Sequence, residues 1–322
     1  MDFTKRELVE LLEMPWDRFQ MEIEPKAKSV WMEQGNFLDA VAMLGFDNHC
    51  RNKCQYCGMS ALCKVERYSM RGTEIAGSVR EAKKAGFKRI FLVSGENPAY
   101  DFDEILETVA SIHEMGMHLS LALGELEKEQ YRELKDAGCD QYVLKFEFSN
   151  PETFARLKPT SDYKKRLQGA EDIKECGMKL ASGNIVDFPG HTLDMMADDI
   201  LLMKKLDITW APVIPYLPAL NTPLAKEGKR GDITKNLKEI SILRLMMPEI
   251  DLTAQQPGYD LKKGLADDEG NLLALSAGAN MLFADMLPQE RTQKFSVVDN
   301  RITLGLNHIS HMADMTGMQL RF

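Results

Sequence analysis

Cys50, Cys54 and Cys57 stand at the spacing C-x3-C-x2-C, the densest group of reactive side chains in the sequence. Three thiolates from one short loop can each bind an iron of a 4Fe–4S cubane and leave the fourth iron open to a cofactor or substrate. Zinc is the other reading, because C-x2-C is half of many zinc sites. A structural zinc site needs four ligands, however, and no second Cys/His pair stands at a suitable distance in the sequence. His49 adjoins Cys50 and points elsewhere in an extended chain. An iron–sulfur carrier would want four protein ligands for its cubane, whereas this loop offers three. Of the other thiols, Cys139 and Cys176 adjoin glycines at helix ends and read as small buried hydrophobes. Cys63 follows Cys57 in the same loop and either packs or lines a site.

The cysteine loop follows an apolar run, AVAMLGFDN, and what positions it is a pattern repeated along the chain. An amphipathic helix ends at Gly86, Gly116, Gly138 or Gly177, and a run rich in Val, Ile, Leu and Phe follows each time. Glycine just past a helix end is the residue for a left-handed cap. Continuous apolar runs suit strands buried on both faces. Strand candidates begin near Ala40, Arg89, Leu119, Tyr142, Leu180, Thr209, Leu252 and Met281. Eight such units in roughly 250 residues suit an α/β fold of the (β/α)8 TIM-barrel type, with active groups on the loops after the strands. A doubly wound open sheet is the structural alternative. Residues 1–35 read as a helical cap on the barrel floor, and 36–322 as the barrel.

Composition narrows the function. Net charge is −9 over 322 residues, which argues against a nucleic-acid partner, since that needs a basic stripe. No apolar run is long enough to span a membrane. The start, MDFTKRELVE, lacks a secretory apolar stretch, so reduced thiols and a cytoplasmic location are expected.

The sequence resembles the radical SAM enzymes, whose cluster loop is C-x3-C-x2-C with an aromatic before the last cysteine, here Tyr56. It is similar to the biotin-synthase-like branch, and within it to the subgroup of hydrogenase maturases and methylornithine synthases. The stretches that carry this are YCGMS, LVSGENPAY, LSLALGE, YVLKFEFSNPETFARLKP, FPGHT, YLPALNTPLA, ILRLMMP and AGAN. The resemblance implies a 4Fe–4S cluster held by Cys50, Cys54 and Cys57. It implies S-adenosylmethionine (SAM) on the open iron, a 5′-deoxyadenosyl radical, and hydrogen abstraction from a small-molecule substrate. It also implies a one-electron reductant of the ferredoxin or flavodoxin type.

The same resemblance distributes the SAM contacts. Ser94, Gly95 and Glu96 match a motif that receives the methionine amino group, a role that acceptors and close backbone approach suit. Arg166 matches a partner of the methionine carboxylate. Glu147 is placed to hydrogen-bond SAM, while Gly183, Ile185 and Tyr216 match adenine-side positions. Each has a plainer reading: a turn after a strand, a solvated Lys164-Lys165-Arg166 face, or simple core. The substrate side departs from the relatives. Asn97, Pro212, Gln255 and Pro257 fall where methylornithine synthases have their polar clamp, and Phe146 replaces a maturase histidine. Asp187, Gln255 and Tyr259 are therefore expected to face substrate, although Asp187 could instead cap the following helix. Cofactor maturation of the hydrogenase-maturase kind is the implied reaction, with a carbon-skeleton mutase and sulfur insertion as alternatives. Sulfur insertion usually needs an auxiliary cluster that the cysteine count does not supply.

Overall fold

The computed structural model describes residues 1–299 and 304–322. The chain opens on three helices, α1 (Lys5–Glu13), α2 (Trp16–Glu22) and α3 (Glu24–Glu33). Thr4 starts α1 with a capping box, its side chain and that of Glu7 each taking a backbone N–H. Eleven strands follow: β1 (Phe37–Asp47), β2 (Arg89–Ser94), β3 (His118–Ala122), β4 (Gln141–Val143), β5 (Lys179–Ala181), β6 (Ile185–Val186), β7 (Trp210–Ala211), β8 (Ile214–Pro215), β9 (Asp251–Leu252), β10 (Met281–Asp285) and β11 (Gln319–Arg321). Between them run α4 (Gly72–Lys84), α5 (Phe102–Glu114), α6 (Lys128–Asp136), α7 (Pro151–Leu157), α8 (Tyr163–Glu175), α9 (Leu193–Lys205), α10 (Ile233–Met246), α11 (Asp268–Ser276), α12 (Gln289–Thr292) and α13 (Leu306–Thr316).

The strands pair in parallel in the order β10-β1-β2-β3-β4-β5-β7-β9. The bridge Thr253↔Met281 joins the two ends of this path, so the sheet curls into a ring, as the eight strand candidates imply. No open edge remains between β9 and β10 for an open-sheet fold: Asn280 N–H donates to Leu252 O and Ala254 N–H to Met281 O. Gly86, Gly116, Gly138 and Gly177 all have positive φ, the left-handed conformation expected where a helix hands over to a strand.

Two features were not legible in the sequence. The fifth and sixth barrel strands are each broken, β5 resuming as β6 and β7 as β8, and β6 pairs with β8 in a small separate ladder. The C-terminal β11 adds itself to β1 near the floor. There Arg321 clasps Asp39 through Nε at 2.6 Å and Nη2 at 2.8 Å. The helices α1 and α3 lie on the outer layer, α1 against α9 and α3 against α10 and α11.

The barrel interior is plugged at mid-height by Val41, Phe91, Val143, Ala181, Trp210, Met281 and Phe283. Phe91 meets Trp210 edge-on at 5.1 Å, and Phe283 leans on both rings. Burying one such side chain stabilises by about 1.5–3 kcal/mol. The plug also divides the barrel into a polar floor and a chemically active mouth.

Candidate active site

At the mouth, the loop after β1 is fastened from several sides before any cofactor is considered. Asn48 is fully buried, and its amide donates to Glu66 O and Lys294 O while accepting from Tyr68 N–H. Arg67 gathers four carbonyls, those of Asn48, Met59, Ser60 and Cys63. Gly58 N–H donates to Val297 O, and Gln55 is bonded to both Leu157 and Leu224. The loop is thus held by backbone and side-chain hydrogen bonds on several sides.

Cys50, Cys54 and Cys57 line one wall of a cavity of about 310 Å3. Burial pushes the Cys54 thiol up, although Lys158 Nζ stands 3.6 Å from its sulfur and opposes the shift. Burial and then Cys54 push Cys57 up to about 12. Among the described residues no three His, Cys, Asp or Glu side chains converge tightly enough for one metal ion. A structural zinc needs such convergence, whereas in a cubane each thiolate meets a different iron.

The opposite walls come from the ends of several strands. Ser94, Gly95, Glu96, Glu147, Arg166, Ile185, Tyr216 and Tyr56 all line the same cavity. Glu96 is 8% exposed, and its carboxylate accepts from Arg51 at 2.7 Å, Asn52 at 2.9 Å and the Glu125 N–H at 3.2 Å. Burial alone would raise its pKa, but the Glu125 N–H and the Arg51 guanidinium more than offset that and hold it low. Glu96 therefore ties strand to cysteine loop through Arg51 and Asn52. Gly95 explains itself by space: a Cβ there would lie 2.1 Å from His49 O and 2.8 Å from the Cys50 Cβ. Glu147 has φ of +64°, strained for a residue with a side chain. Its N–H donates to Gly183 O, and Lys145 Nζ lies 3.3 Å from its carboxylate.

Arg166 is 4% exposed, so it is not part of a solvated helix face. Its Nε bonds Glu125 at 2.7 Å and Nη1 the Lys145 carbonyl, while the buried Nη2 has no partner in the protein. Burial opposes its charge, but Glu125, Glu147 and Glu96 hold its pKa above the ordinary value. The Tyr216 hydroxyl is likewise buried without a partner, and burial pushes it up to about 12. Gly183 does not line the cavity; its carbonyl serves Glu147 instead.

A second cavity of about 230 Å3 shares Phe91, Val93, Lys145, Trp210, Pro212 and Ile214 with the first. Its polar groups are Lys145, Thr253, Gln255 and Asp285. Gln255, expected from the sequence, is here, and its buried Oε1 has no partner. Asp187 and Tyr259 are not. Asp187 adopts φ of +55°, which turns it away. Its carboxylate pairs with Lys235 at 2.5 Å and accepts the Asp232 N–H, fastening β6 to the start of α10 rather than capping the helix that follows it. Tyr259 is 55% exposed and outside both cavities. Lys145 and Asp285 were missed in the sequence. Lys145 sits in a run of strand residues whose alternation breaks at the left-handed Glu147, and Asp285 ends β10, where an acidic residue after an apolar strand was the available signal.

A wider hollow of about 1000 Å3 opens at the floor. Several of its charges pair with one another, Asp39 with Arg321 and Arg89 with Asp251 at 2.6 Å. The mouth, with its thiols and unpartnered polar atoms, is the site with chemistry to offer.

A closed parallel barrel with a three-thiol loop after its first strand defines a class of enzyme, and comparison with known proteins shows which. The radical SAM superfamily pattern matches residues 46–203. The chain is 33% identical to the [FeFe] hydrogenase maturase subunit HydE of Thermotoga maritima over 94% of its length and 85% of that protein. It is 27% identical to 3-methylornithine synthase of Methanosarcina acetivorans over 80% of its length and 71% of that protein. A solved methylornithine synthase, PylB, superposes with a TM-score of 0.88 at 22% identity, covering all of this chain and 95% of that one. The chain belongs to the radical SAM superfamily. Enzymes of that family use a 4Fe–4S cluster and SAM, act on small molecules and require a reductant. Among the described residues no helix is long and apolar enough to cross a membrane.

Proposed function

We propose that Cys50, Cys54 and Cys57 hold the cluster, that Arg166, Glu147, Ser94 and Tyr216 surround SAM, and that substrate occupies the second cavity. Held there and given one electron by a reductant, cluster and SAM would supply radical chemistry for taking hydrogen from a substrate carbon. The chain's own residues do the rest. Lys158 places a buried cation against the Cys54 sulfur, which favours the thiolate. Arg166 offers an unpaired N–H to a carboxylate inside a wall that excludes water. Glu96 keeps the cysteine loop in register with β2 through Arg51 and Asn52. The Phe91–Trp210–Phe283 plug closes the barrel beneath, so that a reactive species meets substrate and not solvent.

The second cavity suits a small substrate with an apolar body and an anionic end. Lys145 can pair with an anionic group, and Gln255 Oε1 can accept a hydrogen bond. That chemistry suits a small molecule with a carboxylate. Asp187 and Tyr259, outside this cavity, are not included in the substrate contacts. We assign the reaction to cofactor maturation of the HydE kind, because likeness to that maturase runs over 94% of the chain. A methylornithine-type mutase is the second reading, favoured by the synthase relative. Residues 36–322 form the catalytic unit and 1–35 an appended helical layer. The protein works in the cytoplasm, without nucleic acid, and takes its electron from a flavodoxin or ferredoxin.

Two assays on anaerobically reconstituted protein separate the readings. The first asks whether the protein replaces HydE in activating an [FeFe] hydrogenase in vitro. The second asks whether it converts lysine to 3-methylornithine. Activation without methylornithine is the expected result, and Cys54→Ala should abolish both iron binding and SAM cleavage. Methylornithine formation without hydrogenase activation would overturn the maturation reading. A Cys54→Ala protein that cleaves SAM at the wild-type rate would overturn the cluster assignment.

A further inference from the structure

The strand ends that carry Glu147 and Ile185 are held from behind by two side chains, Asp199 and His191, that reach neither cavity. Asp199 on α9 is 2% exposed, and among the described residues it pairs with no lysine or arginine. Its partners come from the cavity walls and from His191. Oδ1 accepts the Ser149 N–H at 2.8 Å, just past Glu147. Oδ2 accepts the Asn184 amide at 3.0 Å, immediately before Ile185. Nε2 of His191 lies 3.2 Å from Oδ2. On the other side of the imidazole, Nδ1 accepts the Asp187 N–H at 2.9 Å, just past Ile185. That bond leaves the ring proton on Nε2, the nitrogen that faces Asp199. The imidazole also stacks on Phe188 at 4.5 Å, Phe188 meets Phe148 at 4.8 Å, and Phe148 meets Tyr56 at 5.5 Å. Tyr56 lines the first cavity beside Cys54 and Cys57.

These contacts fall beside two strained places. Glu147 has φ of +64° and Asp187 of +55°, conformations that persist only where the surroundings over-determine them. The two walls also touch directly: Glu147 forms a parallel bridge with Asn184, and the Ile185 N–H donates to Glu147 O at 3.2 Å. One carboxylate and one imidazole thus fix the backbone on both sides of Ile185 and just after Glu147. We propose that Asp199 and His191 are positioning residues for the cofactor, holding Glu147 and Ile185 at the separation that SAM binding requires. The inference rests on the reading that SAM occupies the first cavity. A buried donor deprived of its acceptor is costly. Without the imidazole the Asp187 N–H must find another acceptor, and the turn after Ile185 shifts to give it one. Phe188 and Phe148 are packed between the imidazole and Tyr56, so the shift reaches the cysteine side of the cavity as well.

The test compares reconstituted His191→Leu, His191→Gln and Asp199→Asn with the wild type. It reads SAM affinity by calorimetry, Tm, and hydrogen exchange at the Ser149 and Asp187 amides. Leucine fills the space of the imidazole without an acceptor, glutamine can offer an oxygen to the Asp187 N–H, and asparagine turns an amide N–H toward other donors. His191→Leu and Asp199→Asn should each weaken SAM binding roughly tenfold at unchanged iron content. Exchange should quicken at Asp187 in the first and at Ser149 in the second. His191→Gln should restore most of the lost affinity. A lower Tm with wild-type SAM affinity in both His191→Leu and Asp199→Asn overturns the proposal, since the pair would then serve stability alone. Equal losses in His191→Gln and His191→Leu also overturn it, because the acceptor for Asp187 would not be what matters. Should His191→Leu not fold, Asp199→Asn and the wild-type exchange rates decide, and an unprotected Asp187 amide in the wild type counts against the proposal. Arg166→Lys is the control on the cofactor reading. Wild-type affinity there would place SAM outside the first cavity and remove both readings, whereas a loss there with none in the His191 and Asp199 variants removes the positioning alone.

Discussion

Arg166 shows how one side chain changes meaning between sequence and structure. In the sequence it follows two lysines on a helix and reads equally well as solvated charge. In the fold it is 4% exposed, saturated on two nitrogens by Glu125 and the Lys145 carbonyl, and open on the third. A buried guanidinium with one unmet donor is costly unless something arrives to meet it. The carboxylate of SAM is the ligand we propose for it. Removing the whole side chain would leave Glu125 buried and unpaired, and would confuse binding with stability. Arg166→Lys keeps the charge and loses the fork. It should weaken SAM binding by about 1.5–3 kcal/mol, the range for a hydrogen bond to a charged group, with iron content unchanged. Calorimetry is the check, and wild-type affinity in that variant would mean that Nη2 meets no ligand.

At the scale of elements, the contact between β2 and the cysteine loop decides whether the site forms. Gly95 N–H donates to Asp47 O and Arg51 N–H to Glu96 O, so loop and strand end are laced by backbone. The lacing needs a residue without a side chain, since a Cβ on Gly95 would overlap His49 O at 2.1 Å. Because the clash is with backbone, it cannot be relieved by a rotamer change. Gly95→Ala should displace the cysteine loop and lower iron incorporation several-fold, while far-UV circular dichroism stays native because the barrel strands do not depend on it. Full iron loading in the variant would show that the loop yields. This contact also marks the limit of sequence reading. Apolar runs, four of them after capped glycines, placed all eight barrel strands, because burial on both faces writes itself into composition. Of the nine residues the sequence put beside SAM, all but Gly183 line one cavity: Tyr56, Ser94, Gly95, Glu96, Glu147, Arg166, Ile185 and Tyr216. Asp187 was misplaced because period-2 alternation fails where φ turns positive. Lys145 was missed for the same cause, two residues before Glu147 with its own positive φ.

The whole molecule divides by height: paired charges at the floor, an aromatic plug in the middle, thiols and unmet donors at the mouth. Between barrel wall and outer helices lies one polar group that this division does not explain. Glu239 on α10 is fully buried behind the strand that carries Ile185. The Asn184 amide is 3.4 Å from its Oε2, Asn184 also bonds Asp199 at 3.0 Å, and Oε1 has no partner. Burial, and then Asp199, push the Glu239 carboxyl well above the usual carboxylate range. The sign for stability follows directly. Below the ordinary carboxyl pKa both folded and unfolded chains are protonated here, and the stability is fully present. As pH rises, the unfolded chain ionises first while the folded one resists, so stability is lost on the way up to the folded pKa. Glu239→Gln keeps the shape and cannot ionise. Relative to wild type it should therefore gain stability between about pH 5 and pH 8. The gain should show as a difference in Tm that widens with pH, each kcal/mol amounting to about 2 °C in a chain of this size. Thermal unfolding of the two proteins across that range is the measurement. A Tm difference that stays constant with pH would mean that Glu239 is ionised in the fold, with Lys145, which reaches the Asn184 carbonyl from the cavity side, as the nearest cation to balance it.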